Sequence, residues 1–131
     1  MIKKTMIFLL AGAAVFTACK KTETTLTTTQ KVLGKWTYVG QVGSETFQGS
    51  TRPTSATGVA GDYIDFRTDG KTYSYIASER DTSTYKIISD KLIKVDSDTL
   101  EIKTLTTSSF VLYGKKVTPQ YSDESTITLK K

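Results

Sequence analysis

The sequence predicts an all-β protein, an antiparallel up-and-down β-barrel of about eight strands. Three observations lead there. Beyond residue 31 the chain is rich in Thr, Tyr, Ile and Val and poor in Ala and Leu, the residue mix of pleated, half-buried surfaces. Turn-forming residues interrupt it at intervals of roughly 8 to 12 positions, the spacing of a meander of short strands. No window sustains the 3.6-residue apolar period of an amphipathic helix. At 131 residues the chain suffices for one domain around one core and is too short for two.

The first element precedes that domain. Lys3 and Lys4 stand ahead of an apolar run from Met6 to Phe16, the order of a secretory signal. At roughly ten apolar residues the run is about half of what a membrane-crossing helix needs, so it reads as a signal and not an anchor. It ends at Phe16-Thr17-Ala18-Cys19, which resembles the lipobox of bacterial lipoproteins, with Phe16 in place of the more usual Leu. That resemblance implies removal of residues 1–18 and acylation of Cys19 as the mature N-terminus, with the membrane as partner. It also implies a cell-envelope protein held by lipid. Lys20 follows the cysteine where Asp would be the retention signal of such lipoproteins, so the resemblance points to the outer membrane.

Next comes a Thr-rich polar stretch, KKTETTLTTTQK, over 20–31. It has little to bury and reads, with Cys19, as a flexible tether over 19–31 ahead of a barrel domain over 32–131. Strands are expected near 33–42, 61–67, 71–79, 83–89, 91–96, 99–105, 108–117 and 124–130. Their links are short. Thr68-Asp69-Gly70 is a tight hairpin signal, Ser89-Asp90 and Ser97-Asp98 suit short turns, and Thr106-Thr107 separates two apolar runs. Residues 43–60 carry Gly, Ser, Thr and Pro53 and read as a long loop.

Alternation within the strands names an inner face. Ile64 and Phe66, Tyr73 and Tyr75, Tyr85 and Ile87, Ile93 and Val95, Leu100 and Ile102, Phe110 and Leu112, and Ile127 and Leu129 each stand two apart. Their neighbours are mostly Thr, Lys, Asp and Ser. Curling such a sheet into a barrel buries the dry face and removes exposed edges.

Gly34-Lys35-Trp36 at the head of the first strand resembles the G-x-W signature of lipocalins, within Val32-Leu33-Gly34-Lys35-Trp36-Thr37-Tyr38. Asp65-Phe66-Arg67-Thr68-Asp69-Gly70-Lys71-Thr72-Tyr73 and Leu105-Thr106-Thr107-Ser108-Ser109-Phe110-Val111-Leu112 are similar to the strands that follow in the short lipocalin-like domains of bacterial lipoproteins. The resemblance covers about residues 32 to 130. The helix and longer strand set of full-size lipocalins are missing. A lipocalin-like barrel is implied, with Gly34 and Trp36 at the plug of one end. The indole would pack on a basic residue of the last strands, for which Lys115, Lys116 and Lys130 are the candidates. Phe66, Tyr73, Tyr75, Tyr85, Phe110 and Leu112 are the candidate ligand-binding residues. Tyr63 and Tyr113 are further aromatics of the interior or its rim, where a phenol offers both apolar area and a hydroxyl.

Composition excludes several chemistries. There is no His, no Asn and a single Cys, which rules out Ser-His-Asp and Cys-His catalysis, His-ligated zinc and an intrachain disulfide. Loss of 1–18 removes two lysines and no acid, leaving 16 Lys+Arg against 13 Asp+Glu. A side-chain balance of +3 without an Arg-rich block does not indicate nucleic-acid binding. Asp62 and Asp65, Asp96 and Asp98, and Asp123-Glu124 are the acidic clusters, and they read as turn and surface chemistry, not as a metal site. Asp98-Thr99-Leu100 resembles an O-glycosylation motif of some envelope proteins. No enzyme, cofactor or metal is expected. Two readings remain: a module binding a small apolar or amphipathic ligand at the barrel mouth near the 43–60 loop, or a ligand-free scaffold or inhibitor docking on another envelope protein.

Overall fold

A computed structural model describes residues 25–131. The signal segment, Cys19 and the first half of the tether lie outside the described residues. A short helix, α1 (Thr28–Val32), leads into nine strands: β1 (Gly34–Phe47), β2 (Ser50–Thr57), β3 (Tyr63–Phe66), β4 (Lys71–Ile76), β5 (Glu79–Ser89), β6 (Leu92–Val95), β7 (Asp98–Leu105), β8 (Ser109–Val117) and β9 (Tyr121–Lys130).

From β3 to β9 each strand pairs antiparallel with the next in the chain. Pairing of β1 with β9, from Thr37 opposite Lys130 to Phe47 opposite Tyr121, closes the ring. β1 pairs with β3 through Gly34 to Thr37, which completes a barrel of eight strands with β2 as a ninth. Hairpin turns link the strands. Gly70 takes a φ of 77° in the link after Phe66, and Ala77 and Ser78 take 52° and 68° in the link after Ile76.

The long loop expected over 43–60 is instead a hairpin. β1 runs on to Phe47, turns at Gln48 and Gly49, and returns as β2, with Gly40 opposite Thr57 and Phe47 opposite Ser50. Both turn residues have positive φ, 48° and 79°, the conformation that matches the twist of a two-residue hairpin. Pro53 is tolerated because β2 pairs with β1 alone, and on an edge strand a missing N–H leaves no ladder partner wanting. β2 and β3 therefore follow one another along the same edge of β1, broken over 58–62. Gly58 sits so close to β1 there that a Cβ would lie 2.0 Å from the Tyr38 carbonyl oxygen. Asp62, buried at this break, accepts hydrogen bonds from the backbone N–H of Val59 and of Ala77, 3.0 and 3.3 Å long. The carboxylate thereby ties the break to the β4–β5 turn.

Residues 28–31, the end of the stretch expected as a tether, lie in α1. Thr27 caps α1 by accepting from the Gln30 backbone N–H, while the Gln30 side chain accepts from the Thr27 N–H, and Val32 is fully buried. A T-x-x-Q box satisfies donors that a free Thr-rich chain would leave to water.

The core is Val32, Trp36, Tyr38, Phe66, Ile93, Ile102, Phe110, Leu112 and Leu129, with Ile64, Tyr85, Ile87, Val95, Leu100 and Ile127 packed against it. Six of the seven expected inward pairs belong to this set. Tyr73 and Tyr75 do not. The inward residues of β4 are the buried Thr72 and the flanking Ser74 and Ile76, because Thr72 stands opposite Phe66 and shares its face.

Candidate functional site

The two ends of the barrel differ in what fills them. At the closed end Trp36 is fully buried, its ring 5.3 Å from that of Phe110, which lies 5.6 Å from Phe66. Tyr85 meets Phe66 edge-on at 5.2 Å and donates its hydroxyl to the Arg67 carbonyl. Burial and then Asp69 push the Tyr85 phenol above its ordinary pKa. The Trp36 indole N–H donates to the Val32 carbonyl at 2.8 Å, tying α1 to the plug. Gly34 begins β1 with a φ of 108°, and a Cβ there would meet the Lys131 ammonium at 3.4 Å.

The basic residue over Trp36 is Lys131 and not Lys115, Lys116 or Lys130. Its ammonium sits 4.3 Å from the ring centre and donates to the Leu33 carbonyl at 2.7 Å. Alternation explains the difference. Lys130 stands opposite Thr37 and Ser109, beside the inward Leu129, so it points outward, and Lys115 and Lys116 lie at the other end of β8. Only the residue past the last strand folds under the barrel.

Of the candidate ligand-binding residues, Phe66, Phe110 and Leu112 are at most 3% exposed and spend their surface on packing. Tyr85 closes the same cluster. Tyr73 and Tyr75 face outward: Tyr73 lies under the Arg67 guanidinium at 4.2 Å and donates to Asp69, which holds that carboxyl below its usual range, and Tyr75 stacks on Tyr63 at 6.2 Å. Tyr63 itself carries the Lys35 ammonium 3.8 Å above it. The six candidates therefore do not form one site.

The opposite end holds a cavity of about 650 Å³, within the size range of small-molecule pockets. Val95, Leu100 and Ile127, all packed on the core, form its apolar floor. Gly114 leaves room for the Leu100 side chain, whose methyl would lie 2.6 Å from a Cβ at that position. Gln41, Glu45, Asp98, Lys116, Asp123 and Ser125 line its walls. β1, β8 and β9 place them by register. Gln41 is opposite Ile127, Glu45 is opposite Asp123, and Asp123 is opposite Lys116, so these side chains share the inward face.

Two ion pairs brace the mouth. Lys116 meets Asp98 at 3.0 Å across β8 and β7, and Arg52 of β2 places two guanidinium N–H groups, 2.8 and 3.0 Å away, on one oxygen of Glu45. Asp123 accepts from the Tyr121 hydroxyl at 2.9 Å, which raises the phenol pKa above its ordinary value. On the outer face Tyr113 donates to Glu124 at 2.8 Å, with the same consequence for its hydroxyl. No group of acidic residues among those described is placed to hold a metal ion.

Sequence reasoning put a site at the mouth near residues 43–60, but it named none of the polar wall residues and read as a loop the stretch that forms the β1–β2 hairpin. Its signal was local: a polar-Gly pair, Gln48-Gly49, flanked by two β-rich runs of similar length. No protein-family model matches this chain, and no curated protein matches it in sequence.

Proposed function

We propose that this chain is a lipid-anchored envelope protein with a lipocalin-like barrel that binds a small amphipathic molecule at its mouth and catalyses nothing. The cavity carries this reading. It pairs an apolar floor of Val95, Leu100 and Ile127 with a polar wall, the arrangement that holds one end of a ligand dry and orients the other. A deep apolar cup is disfavoured, since Phe66, Phe110 and Leu112 offer no free surface at the closed end.

The anchor rests on the lipobox-like Phe16-Thr17-Ala18-Cys19 and the basic start before it. The chain enters the fold at the closed end, where α1 packs beside β5 and β7 and the Thr28 hydroxyl donates to Asp90. Six residue steps separate Cys19 from Thr25 and reach at most about 22 Å. An acylated Cys19 would hold the closed end toward the bilayer and leave the mouth facing away.

Two measurements test the proposal. Cys19→Ser is expected to turn a membrane-pelleted protein soluble or to leave its precursor uncleaved, and a variant that fractionates and migrates like the wild type refutes the anchor. For the site, mass spectrometry after native purification is expected to find an amphiphile bound by the wild type and absent from Ser125→Trp, which fills the mouth. Retention by both proteins would place the ligand elsewhere.

A further inference from the structure

The charges that face the mouth are not balanced. Glu45, Asp98 and Asp123 point inward with Lys116, and the exposed Arg52 of β2 meets Glu45 at the rim. Both cations are engaged, Arg52 by Glu45 and Lys116 by Asp98. Among the described residues no lysine or arginine nitrogen lies within 4.0 Å of Asp123. Its one side-chain partner is the Tyr121 hydroxyl, which uses a single lone pair of a group that can accept about four hydrogen bonds. Asp96, Lys115 and Glu124 also border the cavity. Asp96 accepts from the Thr84 N–H and hydroxyl, and Lys115 and Glu124 are cross-strand partners whose positions alternate to the outer face.

We infer that the mouth selects an amphipathic cation, a primary or substituted amine whose ammonium is held by Asp123 while its apolar part lies on Val95, Leu100 and Ile127. This deepens the binding reading above and rests on it. An ammonium at Asp123 gains a charge-assisted hydrogen bond in a recess with reduced solvent screening. It also relieves the like-charge approach of Asp123 to Glu45, its register partner. A carboxylate ligand gains neither, because it meets Asp123, finds Arg52 and Lys116 already paired, and reaches Lys115 only beside Glu124, its register partner. The preference runs against the overall field, since 16 Lys+Arg stand against 13 Asp+Glu beyond residue 18.

Titration calorimetry of the purified protein with octylamine, octanol and octanoate tests the inference, the three sharing a tail and differing in head group. Octylamine is expected to bind about tenfold more tightly than octanol, with octanoate weakest. Asp123→Asn keeps the side-chain shape and is expected to bring octylamine down to the octanol affinity while leaving octanol unchanged. Equal affinities for the three, octanoate as the best ligand, or an Asn variant that binds octylamine as before would overturn the amine preference and leave the mouth as a site. Binding of none of the three would overturn the mouth reading itself.

Discussion

The closed end and the mouth of this barrel are made from the same strands and serve opposite ends. Around Trp36, inward positions carry Phe66, Phe110, Leu112 and Leu129, and the space is filled by rings in contact. Farther along β1, β8 and β9 the inward positions become Gln41, Glu45, Lys116, Asp123 and Ser125, and the space is left to water or a ligand. Burying one indole removes about 200 Å² from water, an upper estimate of about 5 kcal/mol. A solvent-exposed ion pair contributes about 0–1 kcal/mol. Stability therefore comes from the closed end, and the mouth is free to be shaped by what it binds.

The largest expected effect tests that division at its apolar extreme. Trp36→Ala removes the plug and its hydrogen bond to Val32, and is expected to destabilise by roughly 3–5 kcal/mol in urea unfolding. A near-neutral result would mean the closed end is not where the fold is held. Asp62→Ala probes the junction between the halves. It strands the N–H groups of Val59 and Ala77, with an expected loss of about 1–3 kcal/mol. Should the loss fall well below that, water replaces the carboxylate and the break between β2 and β3 is looser than its geometry. Lys116→Met at the mouth is expected to change stability by less than about 1 kcal/mol, since its ion pair is largely exposed. A loss as large as that of Trp36→Ala would erase the distinction between the ends.

The sequence was legible where one face of a strand is dry. Alternation located Ile64 with Phe66, Phe110 with Leu112, and Ile127 with Leu129, because apolar and polar residues take turns there and the core is on one side. It failed at Lys71 to Ile76, where Tyr73 and Tyr75 alternate with Thr72 and Ser74. A period of two says which residues share a face but not which face is inside. The two tyrosines look outward, held by Tyr63, Arg67 and Asp69, while the small Thr72 leaves its space to Phe66 and Tyr85. The mouth was harder still. β2 is mostly exposed and its inner face is polar, so the hairpin carries no apolar alternation at all. Gly34 and Trp36 were found by a motif, but the cation over the indole comes from Lys131, beyond the reach of strand periodicity.

Residue-resolved native-state hydrogen exchange measures the contrast between the two ends most directly. The Trp36 indole N–H and the backbone N–H groups of Phe66, Phe110 and Leu129 are expected to exchange only through global unfolding, as the most protected class. The backbone N–H groups of β2, a strand paired on one side alone, and of the turn over 118–120 are expected to exchange at least about a hundredfold faster, through local opening at the mouth. Uniform protection along the barrel, or an indole N–H that exchanges with the mouth, would contradict a fold held at one end and open at the other.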